Sequence, residues 1–341
     1  MTDFHISERN IAAYLSDNDV IRDDVEPTVT SLGGGVSNTV LQVSTPDACY
    51  VVKQPLANLA VEDDWPADTA RVHNEAAAVR AYHGIIDAAG LDDIEVSAVV
   101  FEDTENRVIA ITCAPATSRM WKAELLERHV DPDVGATLGR FLATSHRDAS
   151  EKQTIRSEFA NKTPFEQLRL DPYHRTVAEQ HPDIRAVVDA EIERISDVER
   201  TLVHGDFSPK NVLVDSADET PVWLLDFEVA HWGDPSFDTA FMLNHLCIKA
   251  VYNPGRQQAY LETATHFWEA YTDVIEWDIE ADTVTELAIL MLARVDGKSP
   301  VEYVTSPDTK EILRRIAKRA LTEDVATVPG YLDLLTEVAD A

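Results

Sequence analysis

A short polar segment, HGDFSPKN at residues 204–211, separates two apolar runs and contains side chains suited to phosphoryl transfer. Asp206 and Asn211 stand five residues apart on either side of a proline, and Asp226 ends the apolar run VWLLD further along the chain. Phosphoryl transfer needs a carboxylate near the attacking hydroxyl group and oxygen ligands for Mg²⁺. We therefore predict Asp206 as the catalytic residue, with Asn211 and Asp226 as the magnesium ligands.

The alternative for the same segment is a purely local role. Aspartate and asparagine are common in turns because their short side chains hydrogen-bond the adjacent main chain. Asp206 and Asn211 alone fit that interpretation, but a further aspartate at the end of a strand-like run favours the catalytic one. We expect His204, the first residue of the segment, to hydrogen-bond the main chain beside the turn and to take no part in the reaction.

The N-terminal part of the chain offers groups that suit a triphosphate. Lys53 lies in the strand-like run VVKQ, where an inward-pointing lysine is unfavourable unless it meets an anion. A solvent-facing edge lysine is the alternative. The run GGGVSN includes Gly34, Gly35, Ser37 and Asn38 between two predicted strands. Glycines allow main-chain amides to approach phosphate closely, and the serine and asparagine could donate as well, although a plain hairpin turn also explains the run.

The elements that must position these groups differ between the two parts of the chain. The runs TVTSLG, TVLQVS, CYVVKQ, EVSAVVFED and RVIAITCAP predict five strands, since they are rich in β-branched residues. The apolar spacing over residues 69–88 predicts a helix, and ISERNIAAYL predicts a short amphipathic helix near the start. After Pro115 helical patterns dominate, except in the short apolar runs of residues 201–230.

We therefore predict an α+β fold with two lobes. Residues 1–112 form a sheet-rich N-terminal lobe with one inserted helix, and residues 113–118, CAPATS, form a hinge. Residues 119–341 form a helical C-terminal lobe that carries the catalytic segment. The 341 residues suffice for two lobes of ordinary domain size, and a hydrophobic content of 45% indicates a folded globular protein.

The apolar runs and the cysteines indicate the cellular compartment in which we expect the protein. No apolar run approaches the roughly 20 residues of a membrane helix, and MTDFHISERN lacks the basic-then-apolar pattern of a secretion signal. Cys49, Cys113 and Cys247 are far apart and odd in number. We expect three small buried side chains, without a disulfide framework or a zinc site, in a reducing cytoplasm.

The charge of the chain is strongly negative. It carries 61 acidic and 29 basic residues, for a net charge of −32. The acids are spread along the sequence and repel one another, an effect that salt screens, so we expect the cytoplasmic protein of a halophile. The negative field argues against nucleic acid or an anionic membrane as a partner. A polyanionic ligand must then be bound by a few local cations or by a metal.

HGD-x4-N, followed by a strand that ends in aspartate, resembles the aminoglycoside phosphotransferase and choline kinase group, which has the protein-kinase-like fold. The corresponding strings in protein kinases are H-R-D-x4-N and D-F-G. Residues 204–211 match the first string. Asp226 and Phe227 match the second, with Glu228 in place of the glycine, a substitution that is ordinary in small-molecule kinases of this group.

The resemblance implies ATP and Mg²⁺ as cofactors. It also implies that Lys53 binds the α- and β-phosphates and that Glu75, on the following helix, orients Lys53; an ordinary helical glutamate is the alternative. The nucleotide cleft would lie beside the hinge, with Cys113 and Pro115 at its wall. A small-molecule acceptor is expected instead of a peptide, because no APE-like segment follows Asp226.

Two further stretches resemble the methylthioribose kinase branch of this group. They are KQPLANLAVEDDWPADTARVHNEAAAVRAY and, at residues 165–184, FEQLRLDPYHRTVAEQHPDI. Those enzymes phosphorylate the anomeric hydroxyl of a ribose that carries a 5-methylthio group, so the resemblance implies a small ribose-type sugar as the partner. Trp65, in the first stretch, could cover the face of the sugar or fill a loop core.

The chain departs from that branch near its C-terminus. Where methylthioribose kinases carry adjacent arginines in a late helix, this chain has LARVDGKSPVEY. Arg294 and Lys298 in this segment could bind a substrate phosphate, which makes a pentose phosphate such as ribose 1-phosphate a second candidate. Pairing of the two cations with neighbouring acids is the alternative.

Other functions are compatible with the same motifs. An aminoglycoside- or choline-type phosphotransferase would share the fold and the catalytic residues. A pseudokinase, which binds nucleotide without turnover, is disfavoured because Lys53, Asp206, Asn211 and Asp226 are all present. A homodimer is compatible with the resemblance, since related sugar kinases can be dimers.

Overall fold

The structure is a computed structural model that describes residues 4–33, 37–59, 65–215, 222–323 and 325–341. Strands dominate the first third of the chain and helices the remainder. In chain order the strands are β1 (Thr28–Ser31), β2 (Asn38–Ser44), β3 (Cys49–Pro55), β4 (Ile94–Val96), β5 (Val99–Asp103), β6 (Val108–Thr112), β7 (Ser118–Met120), β8 (Thr201–Val203), β9 (Val212–Asp215), β10 (Val222–Leu224) and β11 (His231–Gly233). The helices are α1 (Ile11–Asp17), α2 (Arg71–Ala89), α3 (Trp121–Leu126), α4 (Pro132–Ser150), α5 (Gln153–Glu158), α6 (Thr163–Phe165), α7 (Thr176–Gln180), α8 (Arg185–Asp197), α9 (Pro235–Tyr252), α10 (Gln257–Thr272), α11 (Glu280–Asp296), α12 (Pro307–Thr322) and α13 (Val328–Ala339).

The N-terminal lobe is built on an antiparallel sheet with the strand order β1-β2-β3-β6-β5. Neighbouring side chains along β3 point to opposite faces of the sheet. Val52 belongs to a small core that includes Ile11 of α1, whereas Lys53 reaches α2 on the other face. Val72 of α2 and Ile109 of β6 share a second buried cluster there. The alternation of β3 therefore turns Lys53 toward α2 and away from the α1 side.

A second sheet, in the order β4-β10-β9-β7, joins strands of both predicted lobes. β4 pairs in parallel with β10, the strand that leads to Asp226. The prediction of one strand over EVSAVVFED is wrong, because the run is divided between β4 in this sheet and β5 in the N-terminal sheet. The chain can change sheets there because Ala98 N–H donates to Thr112 Oγ1 and Thr112 N–H donates to Ala98 O, both at 2.9 Å.

The helical lobe is organised around α9, in which every residue from Pro235 to Val251 is buried. The carboxylate of Asp234 caps this helix by accepting a hydrogen bond from Ser236 N–H at 2.9 Å. Helices α10 and α11 pack against α9, and α4 packs along α10. Within the described ranges, none of the helices has the length and the apolar character that a membrane span requires.

A π-helical stretch, Glu166–Arg175, lies between α6 and α7 and contains Pro172. Proline has no N–H group and cannot complete the regular α-helical hydrogen-bond pattern, so wider turns are expected around it. Arg169 and Tyr173 are among the buried residues of the stretch. Arg169 Nε donates to Gly205 O at 2.6 Å, so this irregular segment directly contacts the turn that carries the predicted catalytic residue Asp206.

The cysteines differ from the prediction. Cys49 and Cys113 form a disulfide with an S–S distance of 2.04 Å, so the expectation of unpaired cysteines is wrong for these two. They are 64 residues apart in sequence, but β6 runs antiparallel to β3, and Cys113 N–H donates to Cys49 O at 3.1 Å. Strand pairing produces this contact, which spacing alone did not reveal. Cys247 is a buried free thiol, as predicted.

Candidate active site

A cleft beside the predicted hinge contains a cavity of about 410 Å³. Apolar side chains of both sheets line it, among them Ile111 of β6 and Leu213 of β9. Cys113, Ala114 and Pro115 of the hinge form part of its wall. The main-chain N–H and C=O of Ala114 make no hydrogen bond with other described residues. An apolar slot edged by free main-chain donors and acceptors is suited to a planar base.

Lys53 lies in this cleft between two carboxylates. Its Nζ is 2.5 Å from Glu75 Oε1 on α2 and 3.3 Å from Asp226 Oδ1. Burial acts to lower the pKa of Lys53, but Glu75 and Asp226 outweigh burial and raise that pKa above its ordinary value. Lys53 is only 8% exposed, which excludes the solvent-facing alternative. The structure thus brings together the three residues that were expected to meet at the phosphates.

Asp206 lies in the turn between β8 and β9 and is almost completely buried. Its Oδ2 accepts a hydrogen bond from Asn211 Nδ2 at 2.7 Å and lies 2.8 Å from Lys210 Nζ. Its Oδ1 lies 2.9 Å from Arg169 Nη2. Asn211 Nδ2 also donates to Asp206 O at 2.9 Å, so a local turn interaction exists alongside the contact of the two side chains.

Two cations that the sequence analysis did not single out, Arg169 and Lys210, set the charge state of Asp206. Burial acts to raise the pKa of this carboxyl group, but the two cations outweigh burial and lower it to about 2. Asp206 is therefore ionised at neutral pH and is a weak base, suited to orient a hydroxyl group. The spacing of Lys210 from Asp206 could have revealed its role. No signal in the sequence pointed to Arg169, because it comes from a distant segment.

The turn around Asp206 is held by main-chain hydrogen bonds. Asp238 of α9 accepts hydrogen bonds from the N–H groups of His204 and Gly205, at 2.7 and 2.9 Å. His204 Nε2 lies 3.2 Å from Leu225 O, as expected for a residue that bonds the main chain. Gly205 has a φ of 75°, and a Cβ atom there would lie 2.8 Å from Val229 O, so a side chain fits neither the conformation nor the space.

Asn211 and Asp226 offer oxygen atoms that fit a magnesium ion. Leu225 N–H donates to Asn211 O at 2.9 Å, which holds Asn211 beside the residue that precedes Asp226. Asn211 uses its Nδ2 for Asp206, and no described residue donates to its Oδ1. Asp226 lines the cleft, and its side chain is 25% exposed. An amide oxygen and a carboxylate are hard donors of the kind that Mg²⁺ prefers.

Glu228, which replaces the glycine of protein kinases, is buried and links three segments. Its Oε2 accepts hydrogen bonds from Arg71 Nε at 3.0 Å and from Asn38 Nδ2 at 2.9 Å. Asn38 Nδ2 also donates to Ser37 Oγ at 3.1 Å, so its amide hydrogens are used within the protein, contrary to the expectation that they face phosphate. The main-chain oxygen of Ser37 accepts from Arg71 Nη2 at 2.5 Å. The predicted glycines at 34–35 lie outside the described residues.

The three candidate substrate residues lie in different surroundings. Trp65 Nε1 donates to Gln167 O at 2.9 Å and its ring packs against the main core, so it fills a loop core. Arg294 Nη1 donates to Tyr173 OH at 3.2 Å. Lys298 is exposed in the loop after α11. Neither Arg294 nor Lys298 forms an ion pair with a described carboxylate, although Glu302 acts on Arg294 from a longer distance.

The fold and the cleft define a class of protein. A sheet-rich lobe and a helical lobe meet at a cleft that carries one lysine and several acids, which is the two-lobed arrangement of protein kinases, as predicted. The sequence profile of the phosphotransferase enzyme family (APH) matches residues 28–271. The chain therefore belongs to this family, and the resemblance to the aminoglycoside phosphotransferase and choline kinase group is confirmed.

Individual relatives are distant. The chain is similar to 4-hydroxytryptamine kinase of Psilocybe cyanescens, with 23% identity over 287 residues, which cover 75% of this chain and 79% of that protein. The solved structure of an amicoumacin kinase in complex with AMP-PNP, Ca²⁺ and Ami has a TM-score of 0.55 at 17% identity, covering 94% of this chain and 98% of that one. The GDP complex of a mutant aminoglycoside 2′-phosphotransferase-IIIa has a TM-score of 0.51 at 13% identity, with 98% of both chains covered. At these identities the solved structures show the fold.

Proposed function

We propose that this protein transfers the γ-phosphoryl group of ATP to a hydroxyl group of a small ribose-type sugar. The observation that carries the proposal is the 3.3 Å contact between Lys53 and Asp226, which are 173 residues apart in the chain and meet in the cleft. Asp206 and Asp226 both act on Lys210, so the predicted catalytic residue and the predicted metal ligand lie in one electrostatic environment. This combination supplies a cation for phosphate and carboxylates for the hydroxyl group and the metal.

Each residue has a distinct role in the proposed reaction. Lys53, oriented by Glu75, binds the α- and β-phosphates. Mg²⁺ bound by Asn211 Oδ1 and Asp226 would neutralise the charge that develops on the phosphate oxygens. Asp206 accepts a hydrogen bond from the acceptor hydroxyl and directs its oxygen atom at the γ-phosphorus.

The transfer step forms one bond and breaks one. The acceptor oxygen bonds to the γ-phosphorus while the bond to the bridging oxygen of the β-phosphate breaks, and ADP leaves with that electron pair. The hydroxyl proton passes to Asp206 late in the step and then to water. A late transfer agrees with the pKa of about 2 for Asp206, because a carboxyl group this acidic takes a proton only from a strongly acidified hydroxyl.

The choice of a ribose-type sugar rests on the resemblance of residues 165–184, and of the segment after Lys53, to methylthioribose kinases. The similar proteins named above act, by their names, on hydroxytryptamine, amicoumacin and an aminoglycoside. They share a family or a fold with this chain at low identity, so their acceptors are not transferred to it. Methylthioribose and ribose 1-phosphate are the two candidates.

An ADP-release assay tests this function. The purified chain is assayed with ATP and Mg²⁺ in molar KCl against pentoses, pentose phosphates, methylthioribose, choline and kanamycin. Turnover with methylthioribose or a pentose phosphate is expected. Turnover with choline or kanamycin alone would contradict the sugar assignment. Nucleotide binding without any turnover would favour the pseudokinase.

A further inference from the structure

Four cations cluster beside the catalytic turn of a chain whose net charge is −32. We name this set the basic cluster; it consists of Lys122, Lys210, Lys249 and Arg294. Burial lowers the pKa of His245 on α9 well below its ordinary value, and all four cations lower it further. All four cations therefore act on the same part of α9. Helix α3, which carries Lys122, packs against the turn at residues 209–211.

The basic cluster is connected to Asp206 through one aromatic ring. The guanidinium carbon of Arg169 lies 5.7 Å from the centre of the Tyr173 ring, and that of Arg294 lies 5.8 Å from the same centre. Arg169 is in turn ion-paired with Asp206. Arg294 and the arginine that contacts Asp206 therefore share one aromatic neighbour, Tyr173.

Two members of the basic cluster, Lys249 and Arg294, form no ion pair with a described carboxylate. Glu302, which is ion-paired with Lys122 at 2.5 Å, acts on both of them from a longer distance. Lys249 is fully buried, and its Nζ contacts only neutral oxygens: His245 O at 3.2 Å and Tyr303 OH at 3.5 Å. The Nη1 of Arg294 is bonded to Tyr173 OH and to Ser299. The Nε of Arg294 is buried and has no acceptor within the described part of the chain.

An unpaired buried cation is unfavourable in the empty protein. Burial, and repulsion by Lys122 and Arg294, outweigh the attraction of Glu302 and lower the pKa of Lys249 to about 7. Carboxylates are plentiful in this chain, with 61 acidic residues, yet none pairs with Lys249 or Arg294 in the described structure. An anion supplied by a ligand would provide the missing charge.

We propose that the acceptor carries a negatively charged group, a phosphate or a carboxylate, which Arg294 binds while Asp206 orients the hydroxyl that is phosphorylated. The proposal rests on the proposed phosphotransferase function and narrows its substrate class. Lys249 is a positioning residue: it lies beneath Tyr303 and contributes positive potential without touching the acceptor. The same potential repels a positively charged acceptor such as choline or an aminoglycoside, and a neutral sugar gains nothing from it.

Calorimetric titration of the full chain tests the charge of the acceptor. The protein, with Mg²⁺ and AMP-PNP at fixed KCl, is titrated with D-ribose 5-phosphate, D-ribonate, D-ribose and choline. At least one anionic probe should bind about 30-fold more tightly than ribose, and choline should not bind. Comparison of the two anionic probes distinguishes phosphate from carboxylate. Equal affinity for ribose, or binding of choline alone, would overturn the proposal.

Substitution of Arg294 tests the proposed contact. Arg294→Gln should lower the affinity for the anionic probe by about 20-fold and leave the affinity for ribose unchanged. Arg294→Lys should recover part of the lost affinity. Arg185→Gln is the matched control, because Arg185 is exposed on α8. An anionic probe that binds Arg294→Gln as tightly as it binds the wild type would contradict the assignment.

Lys249→Met separates a ligand-directed role from a structural one. Removal of the unpaired charge should raise the thermal midpoint of unfolding of the ligand-free protein. It should also lower the affinity for the anionic probe several-fold. A purely structural lysine would produce a lower midpoint and an unchanged affinity, and that result would overturn the role of Lys249.

The binding and ADP-release experiments together distinguish failure of the anionic-acceptor proposal from failure of the proposed phosphotransferase function. Anionic probes that bind at Arg294 without any ADP release would refute the phosphotransferase function and leave the anion site standing. ADP release with ribose or choline, but with no anionic sugar, would leave the function standing and refute the anionic acceptor.

Discussion

Two buried lysines of this protein, Lys53 in the nucleotide cleft and Lys249 in the helical lobe, have opposite electrostatic surroundings. Both are largely withdrawn from solvent, with exposed fractions of 8% and 0%. Lys53 lies between Glu75 and Asp226, which raise its pKa. Lys249 has no carboxylate partner in the described structure, and burial together with two nearby cations lowers its pKa to about 7.

The difference between the two lysines separates two uses of a buried cation. The carboxylates around Lys53 keep it charged and fixed in place before any nucleotide arrives, so its geometry does not depend on the ligand. The protein compensates the positive charge around Lys249 and Arg294 only in part, through Glu302. A ligand that supplies a negative charge there is bound more favourably because it removes an existing repulsion. The predictions below test this contrast.

The largest effect is expected for Asp206, the carboxylate that we propose to orient the acceptor hydroxyl. Asp206→Ala should reduce kcat by about 10³-fold, because the acceptor hydroxyl loses the group that orients it. Calorimetry should show that AMP-PNP still binds and that the protein remains folded. Asp189→Ala is the control, since Asp189 is exposed on α8. Turnover close to that of the wild type would refute the role of Asp206.

Removal of Lys53 should destabilise the protein. Lys53→Met leaves Glu75 buried without its partner, and the other oxygen of Glu75 already lacks a hydrogen bond among the described residues. The free energy of unfolding in urea should fall by about 3 kcal/mol. The double variant Lys53→Met with Glu75→Gln should recover part of this loss. If Lys53→Met were as stable as the wild type, the Lys53–Glu75 ion pair would contribute little to stability, and the contrast with Lys249 would not hold.

The stability gained by Lys249→Met should depend on pH. Below pH 7 the lysine is charged in the folded and the unfolded state, so folding includes the whole unfavourable burial of the charge. Between its folded pKa of about 7 and its ordinary value of 10.5 the folded state is neutral and the unfolded state is protonated, so this penalty shrinks as the pH rises. The advantage of Lys249→Met over the wild type should therefore be largest near neutral pH and below, and it should fall toward pH 10.

Urea unfolding at about pH 6, 7.5 and 9 measures that dependence. Lys122, Arg294 and Glu302 are the charged groups that act on Lys249. They are present in the wild type and in Lys249→Met, so the difference in free energy of unfolding between the two reports on Lys249. Lys152→Met replaces an exposed lysine and is the control. The difference in its free energy of unfolding from that of the wild type should not vary with pH. A constant advantage of Lys249→Met over this range would contradict the unpaired charge.

The smallest effect is expected for the salt dependence of the stability differences at the two lysine sites. Raising KCl from about 0.5 to about 3 M should increase the thermal midpoint of the wild type, because it screens the repulsion among surface acids. The stability differences of Lys53→Met and Lys249→Met from the wild type should change by less than about 0.5 kcal/mol, since buried groups are screened little. A midpoint that is insensitive to KCl would remove the expectation of a halophilic protein.

Much of the catalytic side could be predicted from the sequence because its chemistry is local. Asp206 and Asn211 share one turn, and Asp226 ends a short apolar run, so spacing along the chain was informative. Lys53 was identified because β3 alternates and an inward lysine requires an anion. Glu75 followed only from the resemblance, since a helical glutamate by itself has no distinguishing pattern.

The acceptor side was predicted only in part because it depends on contacts between distant segments. Arg294 was noticed as one of few cations, but it forms no ion pair with a described carboxylate. Asn38 was expected to donate to phosphate, and for Trp65 a place over the sugar or in a loop core was left open; both donate hydrogen bonds within the protein. Lys249 was not predicted at all, because a single lysine in an apolar helix carries no sign of what it faces.

The sequence by itself determined the fold class and the residues of the predicted catalytic turn, because strand alternation, helical periodicity and turn chemistry act over a few neighbouring residues. The family followed from the resemblance of residues 204–211 and 226–227 to known motifs. Tertiary structure alone decided the Cys49–Cys113 bond, the transfer of β4 to the second sheet and the approach of Arg169 to Asp206. It also decided which buried cations have a counter-ion. These features arise where segments far apart in the chain pack together, and the free energy of a buried charge depends on that packing and not on its sequence neighbours.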